Sequence, residues 1–151
     1  MQLSLPTRIS IGSSMTSETF VDTSGFFAAI NPHDQWHEPA NSLLEQTQPR
    51  LRLLTTDYVL DETATLLRTR GQTHLVEPWL EQVLTSSHCH VVWMDPDRFE
   101  QVRRFFARHR DKQWSFTDCF SFCVMKDRKM RQALASDGHF RQAGFEPLLI
   151  S

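Results

Sequence analysis

Cysteine is scarce: Cys89, Cys119 and Cys123 are an odd number with no CxxC pair. That argues against a disulfide framework or a structural zinc site and suits a reducing cytoplasm. No apolar run approaches the roughly 20 residues that a membrane span needs. Residues 1–19 contain one basic residue, Arg8, and no long apolar core, so they do not form a secretory signal. Among only five glycines there is no GxSxG elbow and no Walker-type phosphate loop. No internal repeat is visible. The net charge of -2 does not announce a nucleic-acid binder. What remains is a 151-residue chain, 40% hydrophobic and 23% charged. It has the composition of one globular domain, long enough for a proper core.

Against this plain background, four acids stand where a carboxylate is awkward. Asp22 ends the apolar run Thr19-Phe20-Val21. Glu62 lies within the helical stripe Val59, Leu66, Leu67. Asp118 opens the apolar segment Cys119 to Met125, and Asp137 follows Ala133-Leu134-Ala135-Ser136. Each has an ordinary structural alternative. Asp22 can cap a helix after a strand, Asp118 can serve only its capping box, and Asp137 before Gly138 suits a turn. Burying unpaired carboxylates is costly, however, and four beside one core point to a shared positive partner. Oxygen ligands of this kind suit a hard divalent cation, Mg2+ or Mn2+, one ion or two.

The charge distribution is uneven. Between Arg98 and Arg131 ten basic residues face four acidic ones, an excess of six. A solvated helix face is the ordinary reading of such a run. A phosphate-contacting surface beside the acidic centre is the functional one, with Arg104, Arg108, Lys126 and His139 as candidate phosphate contacts.

Short apolar runs alternate with helical patterns. Strands are expected at Phe20–Asp22, Leu51–Thr55, Val91–Met94, Leu134–Ser136 and Leu148–Ile150. Helices are expected around Trp36 to Leu44, over Asp57–Arg70 with Gly71 as the stop, over Leu75–Leu84, around Phe99 to Phe106, and from Ser115 to about Met130. Residues 1–19 are rich in Ser and Thr and read as a poorly ordered extension, with Met15 as an alternative start, before a domain over 20–151. Alternating strands and helices imply a parallel sheet covered on both faces, with ligands at the carboxyl ends of the strands. All four acids can meet there.

Phe20-Val21-Asp22-Thr23-Ser24, Thr55 to Glu62, Phe116-Thr117-Asp118-Cys119, Ala135 to Phe140 and Ala143-Gly144-Phe145 occur in this order. Together they resemble the PIN-domain family, specifically the VapC-like toxins of type II toxin–antitoxin systems. The similarity covers nearly all of residues 20–150. It implies a three-layer α/β/α sandwich with a mainly parallel central sheet. It also implies metal-dependent endoribonuclease activity, a cognate antitoxin, a homodimer and a cytoplasmic location. The acidic positions carry over as Asp22, Glu62, Asp118 and Asp137, as both catalytic residues and metal ligands.

Other groups are weaker. Thr23 and Ser24 can orient a water or phosphate, or cap a helix. His139 can contact phosphate or cap the turn at Asp137. His88 and His90 read as surface histidines, and His33 and His37 as packing or partner contacts on one helix. A non-catalytic PIN scaffold is the rival from the binding class. A phosphohydrolase of the haloacid-dehalogenase type needs a second Asp two residues after Asp22, where Ser24 stands.

Overall fold

The computed structural model describes residues 17–46 and 51–151. The Met15 start and most of the expected N-terminal extension lie outside them. Ser17–Thr19, assigned above to the extension, belong to the first strand, β1 (Ser17–Val21). The other strands are β2 (Leu51–Thr56), β3 (Cys89–Val92), β4 (Gln132–Leu134) and β5 (Glu146–Pro147). They form one sheet in the order β3-β2-β1-β4-β5, and every pairing is parallel.

Among the described residues seven helices connect and cover these strands: α1 (Thr23–Ile30), α2 (His37–Gln46), α3 (Asp57–Thr69), α4 (Val76–Thr85), α5 (Pro96–Arg108), α6 (Phe116–Asp127) and α7 (His139–Gln142). A 3-10 turn at Thr73–Leu75 leads into α4. Local chemistry places the helix ends. Thr56 caps α3 by accepting from the Val59 amide, and Asp95 caps α5 by accepting from the Arg98 amide at 2.8 Å. After α3, Gly71 adopts φ +72°, the left-handed stop for which glycine has no steric penalty.

The end of central strand β1 (Phe20, Val21), nearly all of helix α1 and the middle of α6 (Asp118 to Met125) are buried, and most of these residues are apolar. Phe20, Phe122 and Phe140 meet there, with ring centroids 5.0 Å apart for Phe122–Phe140 and 6.3 Å for Phe20–Phe140. All three cysteines are buried and free. Burial pushes the Cys89 and Cys119 thiols up to about 12 and Cys123 to about 11, so they pack as small apolar residues.

The expected layout holds, with three differences. Helices α1 and α7 are additional. The last three strands begin two residues earlier than expected, because ladder pairing rather than apolar content sets their limits. His33 precedes α2 instead of lying on it.

Candidate metal centre

Parallel strands aim their carboxyl ends at one edge, and three of the four acids arrive there. Asp22 follows β1 as the N-cap of α1. Its Oδ2 accepts from the Ser24 hydroxyl at 2.9 Å and from the Ser24 amide at 3.3 Å. The Ser24 hydroxyl oxygen in turn accepts from the Ser136 amide at 3.0 Å. Ser24 thus ties the end of β1 to the segment after β4, which carries Asp137. Its hydroxyl therefore braces Asp22 and does not cap the helix, a part that Asp22 takes. The Thr55 hydroxyl donates to the Val21 carbonyl at 2.9 Å and fastens β2 to the same edge.

Asp118 comes from α6. The Ser115 hydroxyl accepts from its amide at 3.0 Å, and its Oδ2 accepts from the Ser115 amide at 3.1 Å. The capping box is therefore real, yet it does not exhaust Asp118. The same Oδ2 lies 3.1 Å from His139 Nδ1. Asp137 Oδ1 accepts from the His139 amide at 2.9 Å, as a turn would have it, and lies 3.4 Å from the same ring nitrogen. Donor atoms of Asp118, Asp137 and His139 all fall within 4.8 Å of one another.

Asp22 and Asp118 are 4% and 7% exposed. Burial pushes the Asp22 carboxyl up from its ordinary 3.8 to about 7. The Asp118 charge adds to the rise, and the hydrogen bonds from Ser24 oppose it. Two buried carboxylates facing each other are an unfavourable arrangement for protein alone and a suitable one for a cation. Thr23 Oγ1, next to Asp22, is buried without a partner among the described residues. The donor set, hard oxygens with one imidazole nitrogen, fits a small divalent ion.

This produces a testable pH effect on the metal-free protein. Folded Asp22 keeps its proton to about pH 7, whereas the unfolded chain releases it near its ordinary 3.8. The folded state holds more protons between those values, so this group's contribution to stability falls as pH rises through that window. Asp22→Asn removes the effect. In chelator, its melting temperature should gain on wild type by several degrees more at about pH 8 than at about pH 5. An equal difference at both pH values would show that Asp22 does not titrate there.

Glu62 differs from expectation. It is exposed on α3, and among the described residues it makes no hydrogen bond or ion pair. The buried positions of α3 are Val59, Leu60, Thr63 and Leu67, so Glu62 flanks the apolar stripe instead of interrupting it. Thr63 takes the buried place by donating its hydroxyl to the Val59 carbonyl at 2.7 Å. The exposure of Asp61 agrees with expectation.

The basic run does not form one surface. Arg128, Lys129 and Arg131 line a cavity with Glu18, Gln132 and Glu146. Those last three residues stand near the amino ends of β1, β4 and β5, the sheet edge opposite the acids. Arg128 is paired with Glu18 at 2.6 Å. On α5, Arg98 pairs with Asp95 and Arg103 with Glu100, each at 2.7 Å, and Arg104 lies 3.5 Å from Glu100. Arg104 and Arg108 share a shallow cleft with Asp97, Glu100 and Gln101. The Lys126 ammonium lies over the Phe105 ring, 5.2 Å from its centroid.

His37 Nδ1 meets the Ala28 carbonyl at 2.8 Å, a packing contact. His88, expected at the surface, is buried beside Ser87, whereas His90 is exposed.

A parallel α/β/α sandwich with clustered acids at the carboxyl edge defines a class of fold and site, and the comparisons agree with it. Residues 19–146 match the PIN domain, and the chain belongs to that family. It is 35% identical over 126 residues to the 23S rRNA-specific endonuclease VapC20 of two Mycobacterium tuberculosis strains. That alignment covers 83% of this chain and 94% of the relative. The crystal structure of M. tuberculosis VapC20, described as a sarcin–ricin loop cleaving toxin, superposes with a TM-score of 0.77 at 33% identity. The match covers 85% of this chain and 96% of that one.

Proposed function

We propose that this chain is a metal-dependent endoribonuclease and the toxin of a toxin–antitoxin pair. The observation that carries the reading is the convergence of Asp22, Asp118 and Asp137 at the carboxyl edge of a PIN-domain sheet. Asp22 and Asp118 are the central ligands, and Asp137 completes the site. Glu62, exposed on α3, joins directly or through water. A divalent ion bound there supplies an acidified water and neutralises phosphate charge. The protein's part is positional. Ser24 fixes the Asp22 carboxylate, the Ser115 amide fixes that of Asp118, and the His139 amide fixes that of Asp137. The surrounding apolar core keeps these groups from rearranging.

Because the VapC20 relatives act on 23S rRNA, the large ribosomal RNA is the first substrate to test. Purified protein should cut it at discrete positions with Mg2+ or Mn2+ and leave it intact in chelator. Cutting that persists in chelator would reject metal dependence. If metal-loaded protein cuts no structured RNA at all, the non-catalytic scaffold is the better reading.

Arg104 and Arg108 are proposed phosphate contacts, with Lys126 as a further one; His139, also expected there, turns its Nδ1 to Asp118 and Asp137. Arg108→Ala should weaken RNA binding several-fold in low salt and reduce the slope of log affinity against log salt by about 1. Among the described residues Arg108 has no ion pair, whereas Arg104 lies close to Glu100, so the larger effect is expected at Arg108. Equal slopes in variant and wild type would remove α5 from the RNA surface.

A homodimer is proposed on the aromatic face of α5. Phe99 and Phe106 are each 43% exposed and lie 5.2 and 5.6 Å from the Phe116 ring, which also neighbours Tyr58. An exposed apolar cluster of this kind suits a protein partner; a monomer mass by light scattering would reject the dimer. Among the described residues no helix is long and apolar enough to cross a membrane, and a cytoplasmic location is proposed.

A further inference from the structure

The acids explain a PIN-type site, but they leave the imidazole of His139 unexplained. Its Nδ1 lies 3.1 Å from Asp118 Oδ2 and 3.4 Å from Asp137 Oδ1. Ligands at right angles around a small ion, each at about 2.1 Å, stand about 3 Å apart. The nitrogen therefore stands from each carboxylate oxygen at about the spacing of neighbouring ligands in one shell. The ring is also held in place. His139 opens α7, its amide is bonded to Asp137, and the next residue, Phe140, is fully buried against Phe20 and Phe122. Its Nδ1 faces both carboxylates, which leaves only Nε2 for an outward contact.

We infer that His139 ligates the metal through Nδ1, beside Asp118 and Asp137, making a mixed nitrogen–oxygen site that favours Mn2+ over Mg2+. This rests on the metal-site reading above. The chemical reason is ligand preference. Mg2+ is satisfied by oxygen and water, and nitrogen adds little for it. Affinity for nitrogen-bearing sites rises along the transition series from Mn2+ to Co2+ and Ni2+. In the metal-free arrangement the same nitrogen hydrogen-bonds to Asp118, which keeps the donor set assembled.

The test is pulsed electron paramagnetic resonance on Mn2+-loaded protein. Directly bonded imidazole nitrogen modulates the Mn2+ echo, and carboxylate oxygen does not. Wild type should show the nitrogen modulation, and His139→Gln, which keeps a hydrogen-bond donor toward Asp118, should lose it. In calorimetry the same variant should lose at least about tenfold in Mn2+ affinity and much less in Mg2+ affinity. His139→Asn serves in its place if that variant does not fold. Bound Mn2+ without nitrogen modulation in wild type would overturn the inference and leave an all-oxygen site standing. Modulation that survives both substitutions would overturn it too, by placing the nitrogen on another histidine. Failure of wild type to bind Mn2+ at all would overturn the metal-site reading and this inference with it.

Discussion

Asp118→Asn should lower RNA cleavage by about three orders of magnitude or more while the protein melts within a few degrees of wild type. The two halves of this expectation have different origins. Asparagine keeps the size of the side chain and an oxygen that can accept from the Ser115 amide, so the capping box at α6 survives. What disappears is the negative charge at the point where Asp22, Asp137 and His139 converge. Loss of that charge also relieves the repulsion that helps to raise Asp22, which offsets any weakening of the hydrogen bond to His139. The comparison requires both proteins from one purification scheme, assayed on the same RNA with Mn2+ and Mg2+. Undiminished cutting by the variant would mean either a contaminating nuclease or a site elsewhere. Lost cutting with a collapsed melting temperature would mean that Asp118 is chiefly structural.

Gly25→Ala should be the most damaging single substitution for the fold, destabilising it by about 3 kcal/mol or more and lowering the melting temperature by roughly 6–12 °C. A β-carbon at this position of α1 would stand 2.0 Å from the Leu134 carbonyl oxygen and 2.8 Å from its carbon. Neither neighbour can give way easily. Leu134 ends β4, and its carbonyl accepts the Asp22 amide at 3.2 Å. Relief requires α1 and β4 to separate. That would pull the Asp22–Ser24–Ser136 connection apart, and RNA cleavage should fall even in molecules that fold. Gly138→Ala is the matched control. A β-carbon there meets nothing within 4 Å, and the backbone, at φ -66°, is ordinary helical. If the two substitutions cost the same, contact between α1 and β4 is not the reason for glycine.

Asp22, Asp118 and Asp137 were legible because each breaks an apolar run, and burial makes such breaks expensive. The alternation of strands and helices was legible for the same kind of reason, since each pattern repeats with its own period. Helix α1 was not. Its residues Thr23 and Gly25 to Ile30 are all buried, so no polar face marks a helical period, and it follows β1 after a single residue. Glu62 read as interrupting the apolar stripe because Thr63 looks polar and is in fact the buried residue, satisfied by its own helix. The three late strands share another cause. Val91–Met94 and Leu148–Ile150 are apolar beyond their ladders, and only the neighbouring strand decides where pairing stops. For His139 the signal was a histidine two residues after a turn aspartate. Sequence alone left open whether it contacts phosphate or caps the turn, and did not turn it toward Asp118.

The register that joins Phe20 to Ala133 and Val21 to Leu134 brings together residues more than a hundred positions apart. Such pairing closes late, because the intervening chain must be ordered before it is rewarded. Asp22 leaves the ribosome more than a hundred residues ahead of Asp137. Over that interval the elongating chain carries one half of the acidic edge without the other. The edge is complete only when β4 lies beside β1, and is not built up as each acid emerges.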